Sequence, residues 1–74
     1  MIAYYNITAT ISLCIEEIIH DSDDYVRFYT VDSQSGTKSQ FIKSRVRFTT
    51  RGVPYFMHNR TRYYLDDFMK ASKA

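Results

Sequence analysis

Residues 41 to 52 read FIKSRVRFTTRG and set positive charges at Lys43, Arg45, Arg47 and Arg51, two residues apart until Thr49 breaks the step. A two-residue repeat brings side chains out on one face of a pleated strand, whereas on a helix the same residues would spiral around the axis. Ile42, Val46 and Phe48 occupy alternate positions. The stretch therefore reads as a strand over 41–50, with those three facing a core and Phe41, Lys43, Arg45 and Arg47 facing outward.

Working outward, YVRFYTV at 25–31 is dense in β-branched and aromatic residues and reads as a second strand, joined to the first by the loop DSQSGTKSQ. Residues 4–15 alternate without a break, Tyr5, Ile7, Ala9, Ile11, Leu13 and Ile15 on one side, which predicts a strand over 3–13. Residues 14–20 fit either a strand or a helix, because Glu16 and Glu17 interrupt the alternation and are good helix formers. The acidic cluster at 20–24 is a turn. On the other side, Gly52 and Pro54 mark a bend, and YFMH and TRYY flank Asn59 and Arg60 as a tight hairpin. The segment LDDFMKASK at 65–73 has acids in its first turn and lysines toward its end, which predicts a short helix.

The expected fold is α+β and mainly β: a small antiparallel sheet, or a partly closed barrel, of four to five strands with a short C-terminal helix. Leu65, Phe68 and Met69 are expected to seal a core against Ile7, Ile11, Phe28, Val46 and Phe48. A chain of 74 residues is one small domain, residues 1–74, burying about 60% of its unfolded surface. Seven Tyr and five Phe supply the core, and with only two Gly and one Pro the turns fall to Asp, Ser and Asn. Cys14 is the lone cysteine, and the N-terminus lacks a signal-peptide pattern, so a cytoplasmic location is expected. No apolar run approaches the roughly 20 residues of a membrane span.

Charge is divided along the chain. Residues 1–37 hold Glu16, Glu17, Asp21, Asp23, Asp24 and Asp32 against Arg27 alone, a balance of −5, and residues 38–74 hold nine Lys and Arg against Asp66 and Asp67, a balance of +7. Such a chain neutralises itself by folding one half on the other or presents a positive face to an acidic partner. If 25–31 and 41–47 pair with their core faces matched, Tyr25, Arg27 and Tyr29 lie beside Phe41, Lys43, Arg45 and Arg47. A register centred on the loop pairs 29 with 43 and 27 with 45. Shifting it by two sets Arg27 opposite Lys43 or Arg47, so every such register contains a like-charge pair that something must offset. The acidic surface of a larger protein, or a nucleic-acid backbone with bases stacked on the aromatics, supplies the offset on one reading. Glu16, Glu17 and the acids at 21–24, or solvent alone, supply it on the other.

Sharper motifs fail. GTKS at 36–39 lacks the glycines and the following helix of a phosphate loop, and DSDD at 21–24 lacks the glycine and distal glutamate of a calcium loop. Cys14, His20 and His58 are scattered singly, so neither a metal site nor a cofactor nor a catalytic centre is expected. Residues 52–68, GVPYFMHNRTRYYLDDF, resemble the wing and closing segment of small winged-helix excisionase-type DNA binders, where a Gly-x-Pro stretch leads to an Arg-x-Arg-Tyr strand and an acidic-started helix. That family's fold implies a helix-turn-helix upstream, where this sequence alternates as strands. The resemblance therefore contributes only Arg60 and Arg62, as DNA contacts.

The expectation is a non-enzymatic binding protein that modulates a larger macromolecule, of the accessory type that phages and mobile elements often encode as short chains. Arg27, Lys43, Arg45, Arg47 and Arg51 would steer the partner, and Tyr25, Tyr29 and Phe41 would make the desolvated contacts. Nucleic-acid binding by the same face is the alternative, and pairing of two copies through the first strand or a free sheet edge is a further one.

Overall fold

The computed structural model describes residues 1–71. The described residues form eight strands: β1 (Ala3–Asn6), β2 (Ile11–His20), β3 (Asp24–Asp32), β4 (Ile42–Arg45), β5 (Arg47–Phe48), β6 (Pro54–His58), β7 (Thr61–Tyr64) and, after a 3-10 turn at Leu65–Asp67, β8 (Met69–Lys70). Five strands form one sheet in the order β4-β3-β2-β1-β8, and three form a second in the order β5-β6-β7. Neighbouring strands are antiparallel throughout. The sheets are open, so the mainly β antiparallel class holds and the partly closed barrel does not.

The β2–β3 hairpin is the spine. Its inward residues Leu13, Ile15, Val26 and Phe28 are buried and meet Phe56 and Tyr63 of the smaller sheet, with the Phe28 and Phe56 rings 4.9 Å apart. Burial of such side chains contributes about 1.5–3 kcal/mol each. Residues 14–20 are strand, and Glu16 is the reason they read ambiguously. Ile15 faces Phe28 and Glu17 faces Arg27, so Glu16 is the extra residue of a β-bulge. The bulge moves the inward set from odd to even positions: Ile18 packs on the core and Glu17 points away from it.

Three expectations need correction. The strand expected over 3–13 is a hairpin, turning at residues 7–10, where the Thr8 hydroxyl accepts bonds from the Thr10 and Ile11 amides at 3.2 and 3.0 Å. Ile7 and Ile11 flank that turn and are exposed rather than core. The helix expected at the C-terminus is a single 3-10 turn, bounded by extended Tyr64 and Phe68, and no side chain caps it. A helix of nine residues is marginal unless packing supports it. Here the segment does better extended: Phe68 packs against Tyr5 and Phe56, and Met69 and Lys70 pair with the β1 edge. Met69 is consequently exposed, and the end of the expected helix, residues 72–74, lies outside the described residues.

The third correction concerns the strand expected over 41–50, which breaks at Val46. Its partner β3 begins at Asp24, which stands opposite Val46 in the β3–β4 register, so beyond Val46 there is nothing left to pair with on that sheet. The Val46 amide donates to the Asp24 carbonyl at 2.8 Å, its side chain enters the core, and the chain continues as β5 against β6. Phe48, expected in the core, is 59% exposed.

The β6–β7 hairpin forms where the sequence places it, with Asn59 and Arg60 both at positive φ, 49° and 62°. That is the pattern of a type I′ turn, whose second position strongly favours glycine. An arginine there carries backbone strain of roughly 1–2 kcal/mol, part of which glycine returns as unfolded-state entropy. Arg60→Gly is therefore expected to stabilise the fold by about 1 kcal/mol, read as a rise in Tm of about 4–8 °C. An unchanged or lower Tm would contradict the strained-turn assignment.

Candidate basic–aromatic interface

The outward face of the five-stranded sheet carries rows set by register. Glu17, Arg27 and Lys43 lie across β2, β3 and β4, and Ile19, Tyr25 and Arg45 form the next row. The like-charge neighbours anticipated from the alternation are thus Arg27 and Lys43. Their repulsion is offset within the chain. The Arg27 guanidinium bonds Glu17 at 2.9 Å and lies 4.7 Å from the Phe41 ring centre, while Lys43 sits 4.5 Å over Tyr25. Arg45 bonds Asp23 at 3.0 Å, and Lys38 approaches the Tyr29 ring at 5.6 Å. Tyr29 and Phe41 meet edge to face at 5.4 Å. These ion pairs are half-exposed, and pairs of that kind contribute about 0–1 kcal/mol, less in salt. Their stronger effect is on geometry, since each cation is held against a ring or a carboxylate.

The other basic residues leave this face. Arg47, beyond the Val46 crossing, lies in register with Tyr55 on the outward face of the three-stranded sheet. Arg62 stacks over the same Tyr55 ring at 4.6 Å, and Tyr55 and Tyr64 approach to 5.7 Å. A hydrogen bond to the Tyr64 hydroxyl and the nearby Tyr55 hold the Arg62 guanidinium above its ordinary pKa. Ser44, Arg45, Arg47, Tyr55, Met57 and Arg62 line one open cleft of about 340 Å³. Arg51 sits in the turn closed by the Gly52 amide on the Thr49 carbonyl, and Arg60 sits at the hairpin tip.

The ten residues singled out from the sequence therefore divide. Tyr25, Arg27, Tyr29, Phe41, Lys43 and Arg45 share the large-sheet face, Arg47 and Arg62 share the small-sheet cleft with Arg45 between, and Arg51 and Arg60 stand apart in turns. Sequence reasoning missed Lys38, Tyr55, Met57 and Tyr64. The last three were open to discovery, because in a hairpin turning at Asn59–Arg60 they alternate with the inward Phe56 and Tyr63.

The remaining titratable groups do not converge. Burial pushes the Cys14 thiol up, against the partial counter-pull of the Tyr29 hydroxyl, and burial raises the Tyr29 phenol as well. His20 bonds Asp24 at 2.8 Å at the rim of the spine hairpin, and His58 lies edge-on to Phe28 at 5.2 Å. Among the described residues no group of three or more His, Cys, Asp or Glu is arranged to hold a metal ion, and no helix is long and apolar enough to cross a membrane. No protein-family model, curated protein or solved structure matches this chain.

Because thiolate is the reactive species and Cys14 is buried with a raised pKa, a thiol reagent at mildly alkaline pH is expected to label the folded protein far more slowly than the denatured one. Equal rates would mean that the β1–β2–β3 face is open at Cys14.

Proposed function

We propose that this chain is a non-enzymatic binding protein whose large-sheet outward face docks on the acidic surface of a larger protein and so modulates it. The observation that carries this reading is the pre-positioning of the cations. Arg27, Lys43 and Lys38 are each held over an aromatic ring, at 4.7, 4.5 and 5.6 Å. A surface whose long side chains are already ordered loses less rotamer freedom on association, and Tyr and Arg are the residue types that dominate interface energetics. Glu17, paired to Arg27 at 2.9 Å in the same row, favours a protein partner over a phosphate backbone. A protein surface answers a mixed charge pattern with its own mixed pattern, whereas phosphates are repelled by the carboxylate.

Affinity capture with the wild type and with Tyr25→Ala/Lys43→Glu tests this reading. The expected result is a specific protein that survives nuclease treatment on the wild type and is lost from the double variant, whose fold is checked by circular dichroism. Retention of the same proteins by both forms, or of nuclease-sensitive material alone, would contradict it.

A further inference from the structure

The small-sheet cleft differs from the large-sheet face in the property that matters for polyanions. Arg45, Arg47 and Arg62 converge on it, and no carboxylate lines it. Arg45 is already engaged by Asp23, and both Arg45 and Arg47 also border the adjoining groove that Asp23 and Asp24 line. Arg47 and Arg62 have no carboxylate partner among the described residues, and both are exposed. They flank one aromatic ring: Arg47 is its cross-strand neighbour, and Arg62 lies over it. Tyr64 follows in the same row on β7. Two cations without an ion pair, beside paired tyrosines on an open sheet, form an arrangement that gains from a ligand bringing negative charge and flat apolar surface together.

We propose that this cleft and the adjoining Tyr64 bind single-stranded nucleic acid, with Arg47 and Arg62 on consecutive phosphates and Tyr55 and Tyr64 as the stacking platform. On binding, Arg62 swings off the Tyr55 ring that it covers in the free protein. The charge complementarity selects a polyanion. The rings select unpaired bases, since only an unstacked base offers its face to an aromatic side chain. A duplex would use the cations and leave the tyrosines idle. The inference concerns a second surface and stands whether or not the large-sheet face takes a protein partner.

The test is fluorescence anisotropy of a labelled oligothymidylate across a salt series, with the full chain. Each phosphate neutralised on a single strand contributes a slope of about −0.7 in log K against log salt. Arg47→Gln/Arg62→Gln is therefore expected to reduce the wild-type slope by about 1.4 and to weaken binding at least tenfold at low salt. Tyr55→Leu, on the same exposed face, is expected to lower affinity with the slope unchanged, and Lys43→Gln, on the large sheet, to leave both near wild type. Circular dichroism confirms that each variant is folded. Absence of binding at low salt, a slope indifferent to the double substitution, or duplex bound as well as single strand with no effect of Tyr55→Leu would each overturn the proposal. The same holds if polyglutamate competes as well as unlabelled oligonucleotide, which would mark the cleft as a general acid-binding surface.

Discussion

Everything in this molecule turns on where the backbone changes sheets. Val46 is buried to 7% exposure, its amide is bonded to the Asp24 carbonyl, and the residues on either side belong to different sheets. An apolar side chain at this position is drawn into the space between the sheets by the same burial that orders Phe28 and Phe56. Alternation along the strand already turns it inward beside Ile42, and the backbone bends because β3 offers no partner past Asp24. Once it bends, the positive charges that alternate along 43–47 cannot emerge together: Lys43 and Arg45 stay with the large sheet, and Arg47 goes with the small one. The division of the basic surface is thus a consequence of where β3 begins, with Val46 packed in the core at the crossing.

That division also answers what the acidic front half does for the basic back half. Among the described ion pairs, Arg45–Asp23 alone joins a cation of residues 38–74 to a side-chain acid of residues 1–37. Glu17–Arg27 lies wholly within the first half, and Glu16 faces the chain's own N-terminal ammonium at 3.1 Å. The large-sheet face is therefore compensated from within by acids and rings. The cleft and the turns keep Arg47, Arg51, Arg60 and Arg62 without a carboxylate partner among the described residues. Two surfaces of different electrostatic character on one small protein suit two different partners, which is the basis of both proposals.

Much of the architecture was legible because local pattern and tertiary demand agree. The spine strand Asp24–Asp32 and the hairpin at Asn59–Arg60 follow from β-branched and aromatic runs bounded by turn residues. That Arg27 faces a cation follows from alternation alone, and the observed register, shifted by two from the loop-centred one, makes that cation Lys43. What was not legible has particular causes. The first hairpin hides because Ile7 and Ala9 continue the alternation through the turn, and the turn is made by a threonine hydroxyl with no glycine or proline to announce it. The 3-10 turn and β8 read as helix because local charge placement favoured one, while the decisive terms were the free β1 edge and the aromatic pocket that receives Phe68. The cleft escaped because it requires knowing that the strand at 41–50 breaks, and nothing within FIKSRVRF marks the break. It comes from β3 beginning at Asp24.

The most direct measurement is a nuclear Overhauser map of the strand pairings together with hydrogen exchange at the Val46 amide. The sheet crossing predicts cross-strand contacts of Lys43 with Arg27 and of Arg47 with Tyr55, and a Val46 amide protected by its bond to Asp24. Contacts of Arg47 with Asp23, which continue the β3–β4 register unbroken, in place of those with Tyr55 would contradict it and return Lys43, Arg45 and Arg47 to a single face.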